Sequence, residues 1–471
     1  FTTTGRVNPF GYTYDEWGYT YSVDCHTSPV YQLIRGADYP HFGKQPTGIG
    51  FGPALMDHHY GATALAGLEL YVGNQYPEMY QHNFYYGDVV KCRVYRASMT
   101  MQGTTPVVTQ EEDFVISDDP WFRPVDVKLG PDGALYVADF YNSIIGHYEV
   151  PLDHPARDRR RGRIWRIVYT GADATAQEKK PVGSDGNLTA LMEDLKDPQL
   201  SRRMATADFI VDHFETSEVD PLRYVLDQSG HTRQQIQLLW ILHRRKLLTN
   251  MDLHPYLSAN DTLQVHALRI LFERDLTESD VAAVDRLLND RSPHVQRQAV
   301  MVLARYPSVD RVERLLSLFN QVPEEDTHLR YAIRQAVRDQ LKDVSVLQTV
   351  VAKSWEDDVV DVLAGIMLGV NHPEAARFLF RYLQGRDWEH RDLSRLVRHI
   401  ATTGNSKQIN ATIGSLRASG QIVNSAYALY QEIEEGLAVS GREMPEAGKA
   451  WGLDLASSFL ELPPAPDGGW S

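Results

Sequence analysis

The chain reads as a multidomain β + α protein, in which part of a β-propeller, with about three blades of sheet visible, is followed by an α-solenoid. Three observations predict this. Residues 1–170 alternate polar and apolar at period two between Gly, Pro and Asn turns. From Leu188 the apolar spacing becomes helical, and an Asp/Ser-Pro-x-Val/Leu element recurs, as in Asp197-Pro-Gln-Leu200 and Ser292-Pro-His-Val295. The expected division is propeller over 1–170, linker over 171–187, solenoid over 188–440 and a Pro/Gly-rich tail over 441–471.

Each element follows from its residues. Tyr12 to Val23 predicts a strand, a turn at Gly18 and a returning strand; Leu65 to Val72 predicts another. Asn83 to Arg96 predicts a hairpin around Gly87-Asp88. The Gly130-Pro-Asp-Gly133 turn feeds an alternating strand at Ala134–Ala138, and Gly162 opens a second at Ile164–Val168. At ~40 to 50 residues per blade this is about three blades, and ~4 to 8 are needed to close a ring. The open edge is then met by upstream sequence, Phe1 lying inside blade sequence, or by another chain. In the helical part the marker positions Leu200, Ile236, Val265, Val295, Leu329, Val359 and Leu393 recur at the length of a two-helix repeat, with a pattern that resembles HEAT repeats.

A formal charge of −15 opposes wholesale binding to nucleic acid. The basic run from Arg157 to Arg166 reads as a solvated blade edge, with a phosphate patch as its alternative. The arginines Arg202, Arg203, Arg244, Arg245, Arg269 and Arg297 read as a solvated helical face balanced by acids. No window has the ~18 apolar residues of a membrane span. Cys25 and Cys92 read either as a disulfide or as two buried small residues, and neither forms a zinc or haem motif.

Histidines are frequent in the sheet region: His26, His41, His58, His59, His82, His147 and His154. His26, His58 and His59 are candidates to line a channel. Asp24, ending a strand just before Cys25 and His26, is a candidate ligand for a hard cation. In the run from Asp57 to Gly67, small residues predict close approach of backbone to a ligand, or a tight loop.

The segments Tyr31 to Pro40, Gly61 to Gly67 with Tyr76-Pro77, and Trp121 to Asp139 together resemble, in order and spacing, the membrane-bound-dehydrogenase propeller family. That family is similar to glucose/sorbosone dehydrogenases, six-bladed propellers that use pyrroloquinoline quinone and calcium. The resemblance covers residues 1–170 and implies HEAT repeats after the propeller, a haem domain beyond this chain, and a copy truncated at its N-terminus. It implies that Arg123, with Asp126 in the Arg123-Pro-Val-Asp126-Val127 element, meets the quinone's carboxylates; the alternative for Arg123 is a structural salt bridge. Val125 stands where the family often has a second arginine. The family's catalytic base precedes Phe1 and is carried to no residue here.

The implied function is a quinone-dependent sugar or alcohol dehydrogenase coupled to a helical interaction domain, exported to the periplasm or cell surface. Its alternative is a non-catalytic propeller that binds a glycan or protein, with the solenoid as scaffold and a protein partner on its concave side.

Overall fold

The computed structural model describes residues 8–25, 30–40, 46–55, 64–146, 149–171, 181–184, 187–384, 393–419 and 421–461. His26, His41, His58, His59 and His147 lie outside them. The sheet region holds eleven strands among the described residues, in three antiparallel sheets. The first is β1 (Pro9–Tyr14), β2 (Thr20–Asp24) and β3 (Tyr31–Leu33), in that order. The second is β4 (Leu65–Leu70), β5 (Asn83–Asp88), β6 (Arg93–Gln102) and β7 (Thr105–Gln110), with β8 (Val115–Ile116) also pairing β6. The third runs β11 (Arg163–Ile167), β10 (Leu135–Asp139), β9 (Pro124–Leu129).

Period-two alternation is clearest at β10, where buried and half-buried residues alternate, while β2, β4 and β5 are buried on both faces and show instead as short apolar and aromatic runs between turns. The turn after β5 is displaced from its expected place at Gly87-Asp88. Asp88 caps it instead: Oδ1 accepts from Val90 N at 2.9 Å and Lys91 N at 3.0 Å, and Cys92 takes the left-handed region at φ 55°. Gly87 stays inside the strand, where a Cβ would run into Pro124 O.

Gly67 has the same kind of role. With φ at 69°, a Cβ there would sit 2.6 Å from Asp126 Cα and Val127 N, so β4 passes directly over the backbone of β9. Of the run Asp57 to Gly67, residues 57–63 lie outside the described residues; at Gly67 itself the small residue admits a neighbouring strand. Gly67→Ala is expected to cost about 2–3 kcal/mol through left-handed strain and backbone displacement, measured as a fall in the urea midpoint.

Seventeen α-helices follow among the described residues. They are α1 (Leu188–Asp194), α2 (Leu200–His213), α3 (Thr216–Val219), α4 (Leu222–Gln228), α5 (Thr232–Arg244), α6 (Asp261–Phe272), α7 (Glu278–Arg286), α8 (Pro293–Leu303), α9 (Val309–Gln321), α10 (Thr327–Gln340), α11 (Val344–Ala352), α12 (Asp357–Met367), α13 (Pro373–Gln384), α14 (Leu393–Thr403), α15 (Ser406–Ala418), α16 (Val423–Val439) and α17 (Glu446–Leu460). All seven marker positions fall in helices. The stretch 446–460, read as tail, is helical and buries Trp451.

Two compact units result. The first comprises residues 1–46, 51–306 and 318–333, and therefore joins the sheets to the early helices; the second comprises 47–50, 307–317 and 334–471. Within the first, Leu200 belongs to a core formed by Tyr21, Val23, Leu68, Leu70, Phe84 and Tyr86, and Met204 packs against it. Secondary structure changes near residue 170, while packing continues across the change. In the second, helices hold a short loop: Arg334 donates to Ile49 O at 2.9 Å and Arg395 to Gly48 O at 2.7 Å.

The arginine face is corrected by this packing at Arg202, Arg203 and Arg297, while Arg244 is exposed and pairs with Asp208 as a solvated face would. Arg203 is 1 % and Arg297 2 % exposed, because the sheets cover the helix faces that carry them. Both cysteines are buried free thiols, so no disulfide joins them. Cys25 follows β2 in the first sheet and Cys92 lies in the β5–β6 turn of the second; burial, with the Asp24 and Asp88 carboxylates, pushes the Cys25 thiol up to about 11.

Candidate functional site

The β1–β2 turn builds one wall of a cleft in the first unit. Asp15 organises it: Oδ1 accepts from Trp17 N and Tyr19 N, both at 2.9 Å, and Oδ2 accepts from Tyr21 Oη at 2.7 Å. Gly18 closes the turn at φ 75° and donates to Asp15 O at 3.0 Å. Burial outweighs these hydrogen bonds and raises the Asp15 carboxyl to about 6.

The turn plugs into the early helices. Glu16 pairs with the buried Arg203 of α2 and lies 3.8 Å from Arg233 of α5. Its carbonyl accepts from Nε2 of His266, whose Nδ1 accepts from Trp240 Nε1 at 3.0 Å. That pair of contacts fixes a neutral tautomer, and burial lowers His266 to about 4. Trp17 stacks on His294 of α8, with ring centroids 4.1 Å apart, and the Tyr19 hydroxyl meets His294 Nδ1 at 3.0 Å. Arg297 lies over the Tyr19 ring at 4.4 Å and donates to Gln32 Oε1 at 2.5 Å. Charge-assisted and aromatic contacts therefore take the place of a purely apolar seam.

Two cavities of about 290 and 330 Å³ flank the turn and share Tyr12, Gly18, Thr20, Trp240 and Arg269. Tyr12 is 53 % exposed at the rim. Their combined size reaches the ~300–1,000 Å³ of small-molecule sites. The cleft is not legible in the sequence because Arg203 and Arg269 read as a solvated face and neither His266 nor Trp240 belongs to a motif. The available signal was Arg and His recurring on the same helix turn as the marker positions.

The residues singled out from the sequence are placed elsewhere. Arg123 is buried, and its guanidinium is occupied by the chain itself: Nε donates to Asn142 O at 2.9 Å, Nη1 to Val89 O at 2.6 Å and Val90 O at 3.3 Å, and Nη2 to Ser143 O at 3.4 Å. It clasps the β5–β6 turn to the loop after β10, through carbonyls rather than a salt bridge. Asp126 is half-exposed; it accepts from Val127 N at 2.9 Å and lies 3.6 Å from Lys128. The two do not form one fork towards a common ligand, so the described residues do not fit the quinone in the way the resemblance implies. Asp24 is buried and has interactions of its own. Among the described residues no group of three or more His, Cys, Asp or Glu could hold a metal ion. The basic run is tied down internally: Arg157 donates to Pro151 O at 2.9 Å and Val150 O at 2.6 Å, and Arg166 pairs with Asp132 at 2.6 Å.

Comparison with known proteins adds a partial match. Residues 4–171 match the model of a family described as a domain of unknown function, DUF7133. No curated protein matches. Among solved structures, an oxidoreductase described as a glucose dehydrogenase from Thermus thermophilus is 19 % identical over 34 % of this chain and 44 % of its own, with a TM-score of 0.26. Two further glucose dehydrogenase structures are 19 % and 20 % identical, over 35 % of this chain and 41 % and 45 % of theirs, with TM-scores of 0.23 and 0.24. The chain thus spans less than half the length of each of these structures.

Proposed function

We propose that this chain is the ligand-binding part of a dehydrogenase-like propeller protein braced by HEAT-like repeats, and that it binds a glycan in the cleft beside Gly18 without redox chemistry of its own. The observation that carries this reading is the cleft itself, assembled from a sheet turn and four helices around Tyr12 and Trp240. Aromatic rims with polar walls suit sugars, which offer an apolar ring face and a girdle of hydroxyls. Thr20, Gln237 and the tyrosine hydroxyls would supply the polar contacts. Export to the periplasm or cell surface belongs to the same proposal and rests on the sequence resemblance. A protein partner of the repeats would use a face other than the one α2, α5, α6 and α8 give to the sheets.

The rival reading is a quinone-dependent dehydrogenase using calcium, which the residue resemblance over 1–170 favours. In that case Arg123 must release its carbonyls, or residues such as His26, His58 and His59 must hold the cofactor. Calorimetry with neutral and acidic oligosaccharides, beside dye reduction with pyrroloquinoline quinone and Ca²⁺, separates the two. Sugar binding lost in Tyr12→Ala, with no quinone-dependent dye reduction, is expected. Dye reduction abolished by Arg123→Ala in a protein that remains folded would establish the dehydrogenase instead.

A further inference from the structure

Among the described residues, Arg269 is an arginine of the cleft wall that no acceptor meets directly. It projects from α6 into the waist shared by both cavities, with Nε 3.0 Å from the place a Cβ on Gly18 would occupy. Among the described residues it makes no hydrogen bond and no ion pair; its electrostatic neighbours are Tyr19, Asp15, Glu273 and the like-charged Arg297. The other arginines of the cleft differ. Arg203 has Glu16, Arg244 has Asp208, Arg297 has Gln32, and Arg35 lies over the Phe272 ring at 4.6 Å.

A half-buried guanidinium without an acceptor is a standing cost to the fold, since its desolvation is not offset by hydrogen bonds. Asp15 and Glu273 act on it through space only; neither carboxylate accepts from the guanidinium, and Asp15 is turned to Trp17, Tyr19 and Tyr21. The walls carry six arginines against four carboxylates, a local positive excess in a chain of formal charge −15. The field at the waist therefore favours an anion. Only Gly18 lets the turn pass this close, and a side chain there would meet the guanidinium.

We propose that Arg269 is the anchor for an oxyanion on the bound sugar, so that the cleft takes acidic sugars, with a carboxylate or sulfate ester on Arg269 and the ring against Trp240 and Tyr12. A planar fork that donates two parallel hydrogen bonds matches either group. This rests on the glycan reading of the cleft.

The test is isothermal titration of the chain with glucuronate-containing oligosaccharides, their sulfated counterparts and neutral glucose oligomers, on wild type, Arg269→Gln, Arg269→Met and Tyr12→Ala. Acidic sugars should bind the wild type, weaken roughly ten-fold or more in both Arg269 variants, and leave the weaker binding of neutral sugars unchanged. Comparing the carboxylated and sulfated ligands tells which oxyanion is preferred. Without ligand, both Arg269 variants should melt at or above the wild-type temperature, because an unpaired charge has been removed. Equal binding of neutral and acidic sugars, or a marked loss of stability in both Arg269 variants, overturns the anchor and leaves the glycan reading intact. Absence of binding by every sugar overturns both.

Discussion

Asp326→Ala is expected to give the largest loss of stability from a single side chain, about 4–5 kcal/mol. Four donors converge on this buried carboxylate: Thr104 N at 2.8 Å, Thr104 Oγ1 at 2.7 Å, Thr105 Oγ1 at 3.1 Å and Leu329 N at 3.1 Å. The last is a helix cap, holding the first turn of α10; the others hold the tip of the β6–β7 hairpin. Removing the acceptor strands Thr104 N, Thr104 Oγ1 and Leu329 N in the interior, while Thr105 Oγ1 still reaches His328 Nδ1 at 3.1 Å, and each hydrogen bond to a charged acceptor is worth about 1.5–3 kcal/mol, with partial relaxation. The hairpin has no slack, since a Cβ on Gly103 would collide with Asp326 Oδ2. Gly103→Ala should therefore weaken the same joint. Thermal unfolding of Asp326→Ala, Thr104→Ala and the double variant measures it: the double variant should lose less than the sum of the singles. Strict additivity would show that Thr104 and Asp326 do not act as a unit.

The joint also shows which part of the fold the sequence could disclose. Strands with one buried face announce themselves through alternation, and their turns through Gly18 and Gly133, because both signals are local. The helices from 188 to 440 are equally legible from the recurrence of positions such as Val265 and Val295, while the one at Glu446–Leu460 is not. What cannot be read locally is the partner of a polar side chain. Arg203, His266, His294 and Arg297 sit on helix faces whose composition looks solvated, and only the arrival of Glu16, Trp17, Tyr19 and Gln32 from the sheets makes them interior. Arg123 is the converse case. Its motif is recognisable, but the carbonyls of Val89, Asn142 and Ser143 that occupy it come from loops on either side and carry no side-chain signature. The cleft was illegible for the same reason, being defined by a turn at Gly18 and helices more than 180 residues downstream.

The second large effect is on acid stability. Burial lowers His266 and His294 to about 4 and His328 well below the ordinary value of 6.5. Arg269 and Arg203 beside His266, and Arg297 beside His294 and His328, act in the same direction, while Asp326 and Asp261 oppose it at His294. Above pH 6.5 neither the folded nor the unfolded chain protonates these rings. Between about 6.5 and 4 the unfolded chain takes up protons that the folded chain refuses, so stability falls as pH falls through that window. Two carboxyls act oppositely: burial raises Asp15 to about 6 and Glu69 to about 7, so the folded state gains from their protonation as pH drops. The imidazoles outweigh them, His399 adding a fourth ring lowered to about 4. With each full pKa unit worth about 1.4 kcal/mol, His266 and His294 each contribute on the order of 2–3 kcal/mol across the window. The melting temperature should therefore drop steeply from pH 7 to pH 4.5, and His266→Gln and His294→Gln, which remove a titrating ring, should each flatten that drop while lowering stability at pH 7. An acid limb unchanged in both variants would assign the loss to groups outside the seam between the β1–β2 turn and the early helices.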